Sequence, residues 1–169
     1  MTHLSRLIFF LAVSVAAAVI TVTTFELPAH VTSHFGPGNV ANDSMGRPAY
    51  LAVTLGLAVG VPLLLVAAFS RIPRALERKL NIPHREYWLA PERRQRTLAF
   101  LGAHMCWLGT LLAVYLTALH FVLLAANTEQ PPRLPMQPFV TLLALFFCGM
   151  ALWVLALVVR FRGKDRDGI

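Results

Sequence analysis

Four long apolar stretches alternate with polar segments along the chain, at residues 7–25, 50–69, 97–126 and 139–159. Each can cross the hydrocarbon layer of a bilayer, about 30 Å thick, because a helix rises about 1.5 Å per residue. These stretches do not alternate with a period of two, which disfavours a membrane β-barrel. The pattern predicts an all-α membrane protein with four transmembrane helices in one domain, residues 1–169.

Composition supports a membrane protein rather than a soluble domain. Apolar residues make up 57% of the 169 residues and charged residues 14%, against about 25% charged residues in soluble domains. The net charge of +7 is compatible with nucleic-acid binding, but the basic residues cluster beside the predicted membrane boundaries. There they set orientation and meet anionic headgroups. The predicted partner is therefore the lipid bilayer, not a nucleic acid.

The loops differ strongly in charge, which predicts the orientation. The loop at residues 70–96 contains eight Arg and Lys residues, whereas Arg47 is the single basic residue among Arg and Lys in the loop at residues 26–49. By the positive-inside rule, the basic loop and both termini are predicted to be cytoplasmic. Residues 26–49 then form an outer loop.

Glycine and proline residues lie inside the second predicted helix, and a proline lies at the start of the third. Gly56 and Gly60 have the spacing that lets two helix backbones approach closely, within the chain or between chains. Pro62 is expected to kink its helix or remove one backbone hydrogen bond. Pro91 suits the first turn of the third helix. Exposed small-residue faces predict a homo-oligomer or a subunit of a larger membrane complex.

Motifs in the two longer loops resemble a known family. The outer loop contains Leu-Pro at 27–28, Val-x-x-His-Phe at 31–35 and Met-x-Arg at 45–47, and the basic loop reads NIPHREYWLAPE at 81–92. These motifs resemble a small bacterial membrane domain of unknown function that also occurs in SdpI-type toxin-immunity proteins. Ser44 stands where that family has tryptophan. The resemblance implies a multi-pass protein of the bacterial inner membrane. The candidate ligand or interaction residues are His30, His34, Phe35, Arg47, Tyr87 and Trp88.

Two outer-loop histidines could contribute to a metal site. On a helix, His30 and His34 would lie on one face about 6 Å apart, but on a strand they would be about 13 Å apart. Pro28 and Gly36 favour a helix, whereas the β-branched residues between them favour a strand. His30, His34 and His120 are the candidate metal ligands, and a tetrahedral site needs a further one. No cofactor is otherwise predicted.

His104 and His120 lie inside the third predicted helix, where an ionisable residue suggests function. Sixteen residues separate them by about 24 Å along a helix, so they cannot share a ligand. A bis-histidine haem needs a histidine at the same depth on a facing helix, and the other predicted spans contain none. Haem would therefore require a partner subunit. In the alternative, His120 hydrogen-bonds to an interfacial or outer-loop residue and His104 to a neighbouring helix.

Sequence motifs of enzymes are missing. The chain has no phosphate-binding glycine loop, nucleophile elbow, HExxH motif or paired carboxylates at catalytic spacing. All Asp and Glu residues lie outside the predicted spans, which disfavours an ion-coupled transporter. The preferred function is a non-enzymatic accessory protein, an SdpI-like sensor, immunity protein or stabilising subunit of a membrane complex. The alternatives are a metal- or haem-binding component of a membrane redox system, and a small-molecule or peptide exporter.

Overall fold

The computed structural model describes residues 2–70 and 82–162, so residues 71–81 of the predicted basic loop lie outside the described residues. Four helical segments in it are long and apolar enough to cross a membrane, which confirms the predicted four-helix membrane fold. We call them the first to fourth spans: His3–Thr24, Arg47–Phe69, Pro91–Ala126 and Met136–Arg162. The helices themselves run over Thr2–Thr24, Arg47–Leu55, Gly56–Gly60 (a π turn), Val61–Ser70, Arg85–Trp88, Pro91–Ala126 and Met136–Arg162.

The third span begins six residues before the apolar stretch that predicts it. Pro91 occupies its first turn, as expected, and the Ala90 carbonyl accepts hydrogen bonds from the amides of Arg93 and Arg94. Glu92 lies in the same turn, where its charge complements the positive end of the helix dipole. The helix is 36 residues long, about 54 Å at 1.5 Å per residue. It therefore exceeds the hydrocarbon layer, and its basic first turns can extend beyond it.

The second span contains a π turn at Gly56–Gly60, which ends two residues before Pro62. The Val61 amide bonds the carbonyl of Gly56, five residues back. Pro62 has no amide proton, and its ring would crowd the carbonyl four residues earlier, so the extra residue relieves this clash. A Cβ added at Gly56 or Gly60 would meet no atom within 4 Å. In the described chain, therefore, neither glycine contacts another helix closely, and close packing between chains stays a prediction.

The first three spans form the core of the molecule. Phe9, Val13, Ala16 and Ile20 are buried and recur at helical spacing along the first span. They face the second and third spans, and Phe9 lies against Gly109 of the third span. A Cβ at Gly109 would lie 2.6 Å from Phe9 Cε2 and 3.2 Å from a methyl group of Val66. Only glycine allows the three helices to meet at this point.

The fourth span lies at the periphery and rests mainly on the third span. Gly149 packs on Leu111, and the indole of Trp153 donates a hydrogen bond to the His104 carbonyl. About half of its large apolar side chains, including Leu145 and Leu152, are exposed. Such a surface suits lipid, because apolar side chains gain nothing by leaving the acyl chains.

The loop at residues 26–49 contains a small antiparallel sheet, which the all-α prediction missed. His30–Phe35 pairs with Ala41–Gly46 across a turn at Pro37–Asn39. Gly38 and Asn39 take positive φ angles of 78° and 63° in this turn, a conformation that glycine and asparagine adopt readily. We call this element the hairpin. It resolves the choice left open for His30 and His34, since both lie on a strand.

The two ends of the helix bundle have different chemistry. The hairpin covers one end, where the fully buried Val31 inserts beside Leu27 and Tyr50. At the other end, Leu4 lies beside Arg96 and the guanidinium of Arg160 lies over Phe100. We call these the hairpin end and the basic end. The first span starts and the fourth span finishes at the basic end, as the prediction of both termini on one side requires.

Candidate functional site

His120 is at the centre of a hydrogen-bonded cluster at the hairpin end. Its side chain is 1% exposed. Nε2 lies 2.7 Å from the hydroxyl of Thr23, and Nδ1 lies 2.9 Å from the hydroxyl of Tyr50. These contacts connect the third span to the first and the second. His120 is thus bonded to residues at the ends of neighbouring spans, as expected in the alternative to haem ligation.

The direction of each hydrogen bond follows from counting protons. The Thr23 hydroxyl donates its single proton to the Val19 carbonyl, 2.7 Å away, so it can only accept from His120 Nε2–H. Nδ1 of the neutral ring then accepts the proton of Tyr50. Thr54 interacts with the same Tyr50 hydroxyl from the next turn. With the ring neutral, both nitrogens of His120 are thus occupied by hydrogen bonds.

A cavity of about 250 Å³ lies beside this cluster, between the second and third spans and under the hairpin. Its walls are leucine and valine side chains, and its polar groups converge at the hairpin end. None of the described residues that line it is an acid, an arginine or a lysine. The lining residues are Ser33, His34, Met45, Tyr50, Val53, Thr54, Leu57, Leu116, Leu119, His120 and Leu123.

The hairpin is fixed to the spans through backbone groups. The Asn127 side chain accepts a hydrogen bond from the Thr32 amide at 2.8 Å and donates one to the Thr32 carbonyl at 2.9 Å. Arg47 donates to the carbonyls of Phe25 and Leu27, at 3.0 and 3.1 Å. The roof of the cavity is thereby held in place before any ligand binds, which lowers the ordering cost of binding.

Replacing Asn127 with alanine is expected to loosen the hairpin without unfolding the spans. Two hydrogen bonds at about 1 kcal/mol each correspond to roughly 30-fold more frequent local opening. Amide hydrogen exchange of residues 30–35 in micelles measures this change. The matched control is Asn42→Ala, an exposed asparagine on the second strand. Equal exchange in both variants would show that Asn127 does not hold the hairpin.

The predicted metal ligands occupy different positions around the hairpin end. His30 is exposed at the start of its strand and pairs with Gly46. His34 is exposed at the mouth of the cavity, with Ser33 Oγ 3.1 Å from its Nδ1. Within residues 2–70 and 82–162, no group of three His, Cys, Asp or Glu side chains could hold one metal ion. His120 could ligate a metal or haem only by giving up Thr23 or Tyr50.

The other candidate residues have mainly structural contacts. Phe35 is half-buried on the first strand, and Arg47 binds the end of the first span. Tyr87 lies under the guanidinium of Arg93, 4.1 Å from the ring centroid. Trp88 is buried against Leu101 and Phe161. Its carbonyl also accepts a hydrogen bond from Thr97, so it anchors the short helix to the bundle.

A second buried histidine lies towards the basic end. The ring of His104 is stacked between Phe100 and Trp153, with centroid distances of 5.3 and 4.4 Å. The expected hydrogen bond from the His104 side chain to a neighbouring helix is not seen among the described residues; the ring stacks on Trp153 of the fourth span instead, and the His104 backbone carbonyl accepts the hydrogen bond from Trp153. The Nε2 of His104, like Trp88 Nε1, is buried with no hydrogen-bond partner in the described part of the chain. The sequence indicates His104 by its intramembrane position but gives no signal for the aromatic stack.

Sequence reasoning missed three residues that build the hairpin-end site: Thr23, Tyr50 and Asn127. Each lies within a few residues of a predicted membrane boundary, at the level of His120 or the hairpin. A search for polar residues at matching depth would have found them.

Comparison of the chain with protein families, with curated proteins and with solved structures finds no match.

Proposed function

We propose that this chain is a non-enzymatic membrane accessory protein, a sensor, immunity protein or stabilising subunit, that binds a neutral amphipathic molecule under the hairpin. One observation carries the proposal: an apolar cavity with a fixed roof and a few convergent polar groups. Ligand sites in proteins have this composition. The motif resemblance supports an accessory role, with the basic end on the cytoplasmic side of a bacterial inner membrane.

The lining specifies the chemistry of the ligand. Val53, Leu57 and Leu116 offer an apolar wall, whereas Ser33 and His34 offer hydrogen bonds at the roof. A charged group would lose its hydration in this cavity without meeting an opposite charge, which is costly. From Tyr50 to Leu57 the second span rises about 10 Å. The expected occupant has an apolar chain or ring system inserted between the spans and an uncharged polar group at the hairpin.

The hydrogen-bonded cluster supports binding rather than catalysis. A general base that acts directly on a substrate needs a nitrogen within hydrogen-bond reach of the proton that it takes. Both nitrogens of His120 are already bonded to Thr23 and Tyr50. The cluster instead fixes the relative positions of the first three spans, which form the rigid wall behind the ligand.

Photolabelling with a neutral lipid tests this function. The probe is a diacylglycerol with a diazirine in one acyl chain, incorporated into vesicles with the purified protein. We expect labelled residues to concentrate on the cavity wall, including Val53 and Leu119, as mapped by mass spectrometry. Leu57→Trp fills the cavity and is expected to reduce this labelling at least fivefold. Leu64→Trp is the matched control, because Leu64 is 70% exposed on the same span and does not line the cavity.

Two results would contradict the proposal. The first is labelling spread evenly over the lipid-facing surfaces of all four spans, because the cavity would then offer no site. The second is an equal loss of wall labelling in Leu57→Trp and Leu64→Trp. Circular dichroism of both variants shows whether the helices are intact, so a folding defect is recognised separately from a blocked cavity.

A further inference from the structure

A second groove follows one face of the third span at the basic end. Its volume is about 380 Å³, and Leu4 of the first span forms one side. The third-span residues in its lining recur three or four positions apart, the spacing of a single helix face. They are Arg96, Ala99, Phe100, Ala103, His104 and Trp107.

The dimensions of the groove match one leaflet of a membrane. From Arg96 to Trp107 the helix rises about 16 Å, close to half of the hydrocarbon thickness of about 30 Å. The small side chains of Ala99 and Ala103 form the floor, between the larger Leu4 and Phe100. Leu4 is 58% and Trp107 44% exposed, so the groove is accessible from the surface that faces lipid. An extended acyl chain fits this shape.

Charge is confined to one end of the groove. Arg96 is exposed there, and the other lining residues carry no formal charge. Neighbouring arginines are held on aromatic rings: Arg93 over Tyr87 at 4.1 Å and Arg160 over Trp88 at 4.4 Å. Within the described residues, Arg96 has neither an acidic nor an aromatic partner. Its guanidinium is thus placed to bind an anionic oxygen at the headgroup level.

We propose that this groove is a binding site for an anionic phospholipid of the leaflet at the basic end. The phosphate binds Arg96, and one acyl chain lies along Ala99, Ala103 and Trp107. The aromatic stack of His104 on Trp153 supports the groove from behind. A basic side chain between transmembrane helices is a recognised arrangement for such headgroups. The site is independent of the cavity under the hairpin, which lies at the opposite end of the bundle and has an uncharged lining.

Tryptophan quenching by brominated lipids tests the proposal, because Trp107 lines the groove. The purified protein is placed in phosphatidylcholine vesicles that contain brominated phosphatidylglycerol or brominated phosphatidylcholine at the same mole fraction. The Trp107 signal is the difference between the wild type and Trp107→Phe. We expect about fivefold preference of this signal for the anionic lipid, the ratio that corresponds to about 1 kcal/mol for one basic residue near an anionic lipid.

Two arginine variants distinguish the site from general surface charge. Arg96→Gln is expected to abolish the preference, whereas Arg93→Gln, three residues away on the same helix and outside the groove, is expected to retain it. The proposal would be overturned if the preference of the Trp107 signal for brominated phosphatidylglycerol were unchanged in Arg96→Gln, or if it were reduced equally in both variants. Quenching that survives in full in Trp107→Phe would overturn it as well. Loss of the preference on adding inorganic phosphate would also overturn it, by identifying a free anion as the occupant.

Discussion

Replacing Gly109 with leucine is expected to push the first three spans apart. Even a Cβ at this position would lie 2.6 Å from the ring of Phe9, which is fully buried, and 3.2 Å from Val66. Neither side chain can withdraw without disturbing its own packing. Overpacking a tight core costs about 1–3 kcal/mol, and a leucine between two neighbouring helices is expected to reach or exceed the upper value. Denaturation in mixed micelles, followed by circular dichroism, measures the loss.

The third span supplies its own control for this experiment. Gly102 lies seven residues before Gly109, two helical turns away, and a Cβ there would meet no atom within 4 Å. Gly102→Leu is expected to keep the wild-type stability or to increase it slightly, because leucine favours a helix more than glycine does. If both variants lost stability equally, the close approach at Gly109 would not be what limits the packing of the spans.

Replacing His120 with leucine is expected to cost about 2–4 kcal/mol, from two lost interhelical hydrogen bonds and a buried Tyr50 hydroxyl left without its acceptor. Thr23 still donates to the Val19 carbonyl, so most of the loss falls on the second span. The same micelle denaturation measures the effect. A reduced packing of the second span against the third should also increase hydrogen exchange around Tyr50.

Two further variants help to interpret the stability loss of His120→Leu. Tyr50→Phe removes one hydroxyl and leaves one ring nitrogen of His120 unpartnered, so we expect an intermediate loss of about 1–2 kcal/mol. Phe121→Leu changes the neighbouring residue, which is 46% exposed, and a surface change of this kind stays within about 0.5 kcal/mol. A His120→Leu variant as stable as Phe121→Leu would show that the cluster does not hold the spans together.

The helices were predictable because lipid imposes a strong and simple requirement on sequence. A span needs about 20 apolar residues with every backbone group bonded internally, and the four predicted stretches coincide with helices except for Phe25, which follows the end of the first helix. The hairpin was harder to predict. Its second strand, Ala41–Gly46, is short and rich in polar residues that usually favour turns. Its pairing depends on Val31, which inserts into the bundle, and this is a tertiary contact.

The sites were less predictable, because each combines residues distant in the sequence. Thr23 and His120 are 97 positions apart, and Thr32 and Asn127 are 95 apart. The sequence indicates His120 as unusual, yet it cannot show which hydroxyl groups lie at its depth. Arg96 looks like one of many basic residues that orient the chain. The structure distinguishes it from Arg93, because Arg96 lines the groove beside Leu4 whereas Arg93 lies over Tyr87.

The peripheral position of the fourth span has a consequence for biogenesis. The Thr23–His120–Tyr50 cluster involves only residues before 128, and so do the hydrogen bonds between the Asn127 side chain and the Thr32 backbone. As the chain leaves the ribosome, these groups can therefore all be paired before the last helix enters the membrane. That helix then joins a preassembled unit, so its insertion can fail or be delayed without leaving Thr23, Tyr50, His120 or Asn127 without their hydrogen-bond partners.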